Sequence, residues 1–116
     1  MKLFKVKVPP FPGFITIVSG SFDELTKELE RRGFDNFDDR MLEPGDYAMT
    51  LKIDTAKGTA VAILLLSDAP DLSIWHECLH AAWYILSAFG VQIDVSNHEI
   101  LAYSQGYLYE QIKKRL

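Results

Sequence analysis

Two histidines and a glutamate stand together in the run His76-Glu77-Cys78-Leu79-His80. On a helix, His76 and His80 lie one turn apart on the same face. Two imidazoles in that relation can share one metal ion. Glu77 sits about 100° round the helix from His76, beside the ion and within reach of a water bound to it. Two ligands and a general base on one turn are what zinc-dependent hydrolysis requires. Chance yields this pattern in roughly one chain in 200 of this composition. The plainer alternative is a buried helix whose histidines hydrogen-bond elsewhere.

A catalytic zinc takes three protein ligands and leaves one position open. Glu99 is the expected third ligand, with 18 residues between it and His80. That gap holds a helix end at Gly90, a connector and a new helix start, so the chain can fold back as a helical hairpin. Glu99, Tyr103, Gly106 and Glu110 share a face of the last helix. Gly106 permits close approach, so this face is expected to pack, near the Trp83 side of the motif helix. His98 is the competing ligand. Ser96-Asn97-His98-Glu99 also fits a capping box, in which Glu99 serves only its own helix. Tyr103 and Tyr107 are the candidate donors to a developing oxyanion, and only Tyr103 shares the Glu99 face. Trp83 is expected as core beneath the metal. Cys78, about 200° from His76, points away and reads as buried filler.

These residues need a scaffold. Leu3–Val8 and Phe14–Val18 read as short strands, punctuated by Pro9-Pro10 and Pro12-Gly13. Ser21 and Glu24 form a capping box that opens a helix with Phe22, Leu25 and Leu29 on one face. Gly33 ends it. Phe34–Asp46, acidic and broken by Pro44-Gly45, reads as a loop. Tyr47–Asp54 alternates as a half-buried strand. Thr55-Ala56-Lys57-Gly58 reads as a hairpin turn into the apolar strand Thr59–Leu66. Ser67–Asp71 signals a helix start. The motif helix then runs from about Leu72 to Phe89. It is apolar almost all round, which predicts burial. A last helix starts at Ser96 or Asn97 and reaches about Lys114. The expected fold is α+β in a single domain, residues 1–116: a small, mostly antiparallel sheet with helices packed on one face and the HExxH motif on the second helix.

Composition excludes several classes. The chain has 116 residues, 48% apolar and 24% charged, which suits one soluble globular domain. The net charge is −4. The basic ends, Lys2/Lys5/Lys7 and Lys113-Lys114-Arg115, are short and separate, so nucleic acid is not an expected partner. No run is long enough to span a bilayer. The N-terminus does not read as a signal peptide. A lone cysteine, Cys78, suits a reducing compartment, so a cytoplasmic location is expected.

The pattern His76-Glu77-x-x-His80, 18 residues, Glu99 resembles the gluzincin metallopeptidases. The chain also resembles small phage-encoded metallopeptidase-like proteins, in which an HExxH segment precedes a helix of the type seen here at Glu99-Ile100-Leu101-Ala102-Tyr103-Ser104-Gln105-Gly106-Tyr107. The gluzincin resemblance covers about Leu72–Tyr107. It implies a minimal zincin-like fold, Zn2+ held by His76, His80 and Glu99, and Glu77 as general base toward a peptide or protein substrate. It also implies that the strand Thr59–Leu66 pairs with an extended peptide. Many gluzincins carry Asp four residues after the ligand Glu, where this chain has Tyr103. The helical domain that forms the far wall of a gluzincin cleft has no counterpart here. The expected function is therefore zinc-dependent peptide hydrolysis. The alternative is a metal-stabilised binding protein acting on a host protein by occlusion.

Overall fold

The computed structural model describes residues 1–31, 47–55 and 58–116. Four strands, β1 (Lys2–Val6), β2 (Ile15–Gly20), β3 (Ala48–Thr55) and β4 (Gly58–Leu66), form one sheet in the order β1-β2-β4-β3. Three helices complete the fold: α1 (Phe22–Arg31), α2 (Asp71–Ala88) and α3 (His98–Arg115). The fold is α+β, as expected. The expected helix end at Gly33, the loop Phe34–Asp46 and the turn residues Ala56 and Lys57 lie outside the described residues.

The sheet is mixed. β1 pairs with β2 and β3 with β4 antiparallel, while β2 and β4 run parallel. The β4 sequence explains its central place. Ala62, Ile63, Leu64 and Leu65 are apolar without alternation, and all are buried. A strand apolar on both sides must be covered on both sides.

That requirement corrects the one-faced arrangement expected from sequence. Ile15, Ile17, Val61, Ile63 and Leu65 face α2 and α3, packing on Ile74, Cys78, Ala81, Ile85, Leu108 and Ile112. Val18, Leu51 and Leu64 point the other way and pack on Leu25 and Leu29 of α1. Helices therefore cover both faces of the sheet. The Ser21–Glu24 capping box forms at the start of α1. The Ser21 amide donates to Glu24 Oε1 at 3.0 Å, and the Glu24 amide donates to Ser21 Oγ at 3.2 Å.

The two basic ends meet in space. An Arg115 N–H donates to the Lys5 carbonyl at 2.8 Å, and its guanidinium lies over the Phe4 ring, 4.6 Å from the centroid. This closes α3 onto β1. Among the described residues, no helix is long and apolar enough to cross a membrane.

Candidate metal site

Helix α2 carries the motif, and its packing decides where the motif points. Asp71 lies in the first turn, where a carboxylate suits the helix dipole. It also accepts from Lys113 Nζ at 2.6 Å, which ties the end of α3 to the start of α2. The far end closes on Gly90, at φ +79. The Gly90 amide donates to the Ser87 carbonyl at 3.0 Å and the Val91 amide to Leu86 at 2.9 Å. These two bonds, with Val91 packed on the cluster containing Leu86, make a Schellman closure.

Ile74, Cys78, Ala81 and Ile85 recur at spacings of four, three and four and face the sheet. Ala82 and Leu86 face Leu101 of α3. Small side chains at Cys78, Ala81 and Ala82, each fully buried, let the helix seat closely on its neighbours. This seating sends the histidines outward. Cys78 points into the core, and His76 lies about 200° from it around the helix. The His76 side chain is 65% exposed. The expectation of a helix buried all round is thus corrected: α2 is buried on two sides and open on the third. Trp83, expected as core beneath the metal, is 46% exposed on that open side.

The two imidazoles converge. His76 Nε2 and His80 Nε2 are 3.1 Å apart, with the rings edge to face. Two nitrogens bound tetrahedrally to one zinc at ~2.0–2.1 Å would lie about 3.3 Å apart. The pair therefore fits one cation with an adjustment of a few tenths of an ångström. The second ring is buttressed by Tyr84, stacked at 6.5 Å between centroids. Lys52 Nζ lies over the same tyrosine ring, 5.6 Å from its centroid.

Glu77 is held beside the pair. Its side chain is only 12% exposed, and Oε2 lies 3.9 Å from His76 Nε2. Oε1 is 2.8 Å from Thr50 Oγ1, and the Glu77 carbonyl oxygen is 3.1 Å from the same hydroxyl. The hydroxyl has one proton to donate, shared between these acceptors. Thr50 is a site residue that the sequence reading passed over. Its signal was present: it sits on the polar side of the β3 alternation, and that side meets α2.

β3 is an edge strand of the described sheet and lies beside this site. The expected peptide-pairing strand, Thr59–Leu66, is β4, which has neighbours on both sides. An interior strand has no free ladder to offer; of the two edge strands of the described sheet, β3 is the one beside this site.

The expected third ligand is elsewhere. Leu101, Ser104, Leu108 and Ile112 form the buried face of α3. Glu99, two residues before Leu101, lies about 200° from it and is exposed. The helices run antiparallel, pairing Asp71 with Lys113 and Trp75 with Tyr109. Continued, that register sets Glu99 level with Ile85, about 7 Å along the axis beyond His80. Among the described residues, no group of three or more His, Cys, Asp or Glu side chains is placed to hold a metal ion.

The rest of that face is open too. Tyr103 is 69% exposed and stacks on Tyr107 at 6.5 Å. Among the described residues nothing lies within 4 Å of where a Cβ at Gly106 would sit, so the close helix approach expected there does not occur. The expected Ser96–Glu99 capping box does not form. Asn97 is the cap residue without a side-chain cap bond. Its Oδ1 instead accepts from the Asp94 amide at 2.8 Å, while Asp94 Oδ1 accepts from the Ser96 amide at 2.8 Å and from Ser96 Oγ at 2.6 Å. His98 is exposed in the first turn.

Cys78 behaves as expected. Burial, reinforced by the Glu77 charge, pushes its thiol up to about 12. It is inert filler at neutral pH. A cavity of about 330 Å³ lies away from this chemistry, lined by Ser19, Gly20, Ser21, Glu24 and Ser67 with the two chain ends. Its carboxylate, Glu24, is already engaged by the cap of α1 and by the N-terminal ammonium at 3.3 Å.

No protein-family model matches the chain, and neither a curated protein nor a solved structure matches it.

Proposed function

We propose that the chain is a metal-dependent hydrolase of peptide bonds, with His76 and His80 as ligands to Zn2+ and Glu77 as general base. One observation carries the reading: two imidazole nitrogens 3.1 Å apart with a sequestered carboxylate 3.9 Å from one of them. Zinc, when bound, supplies Lewis acidity to a carbonyl and lowers the pKa of water. The chain's own groups do the rest. Glu77 takes a proton at its Oε2 side and returns it to the leaving amine. Thr50 holds the opposite oxygen, Oε1, and so fixes the direction in which the carboxylate faces. β3, an edge strand of the described sheet, lies beside the site and is the strand along which an extended substrate would pair. In this reading Glu99 is the third ligand, for which the first turn of α3 has to turn toward α2. Tyr103 is the proposed oxyanion donor.

The resemblance to gluzincins and to small phage-encoded metallopeptidase-like proteins supports the same assignment. The proposed form is a minimal zincin-like core, cytoplasmic, acting on a peptide or protein substrate. A second reading, a metal-stabilised protein that binds a host protein without catalysis, draws support from the exposed Leu72 and Trp83 beside the histidines.

The test uses zinc-loaded protein and an unstructured peptide library. Cleavage is expected from the wild type. Glu77→Gln should keep the zinc content and melting temperature and lose cleavage by about 10²–10⁴-fold. Cleavage that survives this change overturns the mechanism. Zinc binding with no cleavage by the wild type favours the binding protein.

A further inference from the structure

The His76/His80 pair faces solvent as half of a ligand set. It supplies two nitrogens, and zinc takes four ligands when its site is closed. Glu77 lies beside the pair but is engaged by Thr50, and among the described residues no group of three or more His, Cys, Asp or Glu is placed to hold a metal ion. A two-fold axis beside the pair would double two imidazoles to four without any change in the chain. Two-fold dimers are the commonest closed assemblies, and they place the same patch on both sides of the contact.

The surface around the histidines fits such a contact. Leu72, His76, Leu79 and Trp83 recur at spacings of four, three and four, so they form one stripe along α2. Leu72 is 81% exposed and Trp83 46%. Large apolar side chains flank the histidines at both ends. The stripe is about 16 Å long. One helix pair of that length falls short of the roughly 800 Å² per partner that a stable interface covers. The apolar contact alone is too small, so the association must depend on the ion.

We propose that His76 and His80 form half of a zinc site completed by the same two residues of a second copy of this chain, giving a zinc-dependent two-fold dimer through α2. The proposal rests on the reading of His76 and His80 as metal ligands. It adds regulation to it: four imidazoles leave no open position, so the dimer is a closed, non-hydrolytic form of the site.

Sedimentation velocity of the full chain with and without zinc chloride, paired with elemental analysis after desalting, tests this. A monomer without zinc is expected, and a dimer holding one zinc per two chains when zinc is present. EDTA should return the dimer to monomer, and His76→Ala should abolish it. Leu72→Glu, at an exposed position, should keep the fold and raise the zinc concentration needed for dimerisation by about tenfold, since it sets a charge against the partner's apolar stripe. One zinc per chain on a monomer overturns the dimer and returns the open position to Glu99. No zinc on any species overturns both the dimer and the metal reading beneath it. A dimer indifferent to EDTA, or to Leu72→Glu, also overturns the proposal.

Discussion

Thr50 Oγ1 lies 2.8 Å from Glu77 Oε1, joining an edge strand to a helix across 27 residues of sequence. The bond gives a largely sequestered carboxylate a fixed partner. Thr50→Val keeps the shape and removes the donor. It should lower stability by about 1–3 kcal/mol, the cost of leaving a buried acceptor unmade. Thr50→Ser should restore most of that. Urea midpoints of the two variants check the expectation, and equal midpoints would speak against the bond.

Cys78 gives a pH-dependent prediction. Its thiol is held well above the usual range, near 12, by burial and the Glu77 charge. The unfolded chain releases that proton near the ordinary value of 9, while the folded chain keeps it. The unfolded state therefore binds fewer protons between about pH 9 and 12, and stability falls as pH rises through that window. Cys78→Ala should flatten this part of the alkaline slope. At pH 8 a thiol reagent should label the native protein no faster than it unfolds.

The fold and the site were legible to different depths. Alternation in Tyr47–Asp54, the Ser21 cap and the glycine at position 90 each act locally, and each produced the expected element. The direction of α2 was not local. Its apolar residues go all the way round, so composition alone suggested burial on every side. Which side stayed open was decided by Cys78, Ala81 and Ala82, whose small size seats the helix on the sheet and on α3. The second covered face of the sheet was written in the unbroken apolar run of β4, which has no polar side to leave in water. Glu99 illustrates the converse. A helical hairpin can return a residue to its partner's level, but Leu101 and Leu108 set the rotation of α3 and turn Glu99 outward.

The same seating predicts a contrast between two leucines. Leu108 is fully buried between α3, α2 and the sheet. Leu108→Ala should cost about 2–5 kcal/mol. Leu72 is 81% exposed, and Leu72→Ala should stay within about 0.5 kcal/mol of the parent. Chemical unfolding of both variants measures the difference. A large loss at Leu72 would mean that this stripe is covered within the monomer.

The cap of α1 should be visible in acid. The Glu24 carboxyl is held below its usual range, first by the Ser21 amide, then by the N-terminal ammonium and the Ser21 hydroxyl. A depressed carboxyl contributes stability above its ordinary value and loses it as pH falls through the folded value. Glu24→Gln can keep the cap but does not titrate. Its stability should fall less on acidification than that of the parent. Ser21→Ala should cost about 1 kcal/mol at neutral pH. Melting curves across the acid range test both, and parallel acid profiles for parent and Glu24→Gln would contradict the assignment.

The central claim is that His76 and His80 grip one cation together. Competition against a chromophoric zinc chelator, run on the wild type, His76→Ala, His80→Ala and the double variant, measures it most directly. Each single change should weaken zinc binding by about 100-fold or more, and the double change should add little, because one imidazole without the other no longer chelates. Unchanged affinity in either single variant, or no zinc binding by the wild type, would contradict the claim.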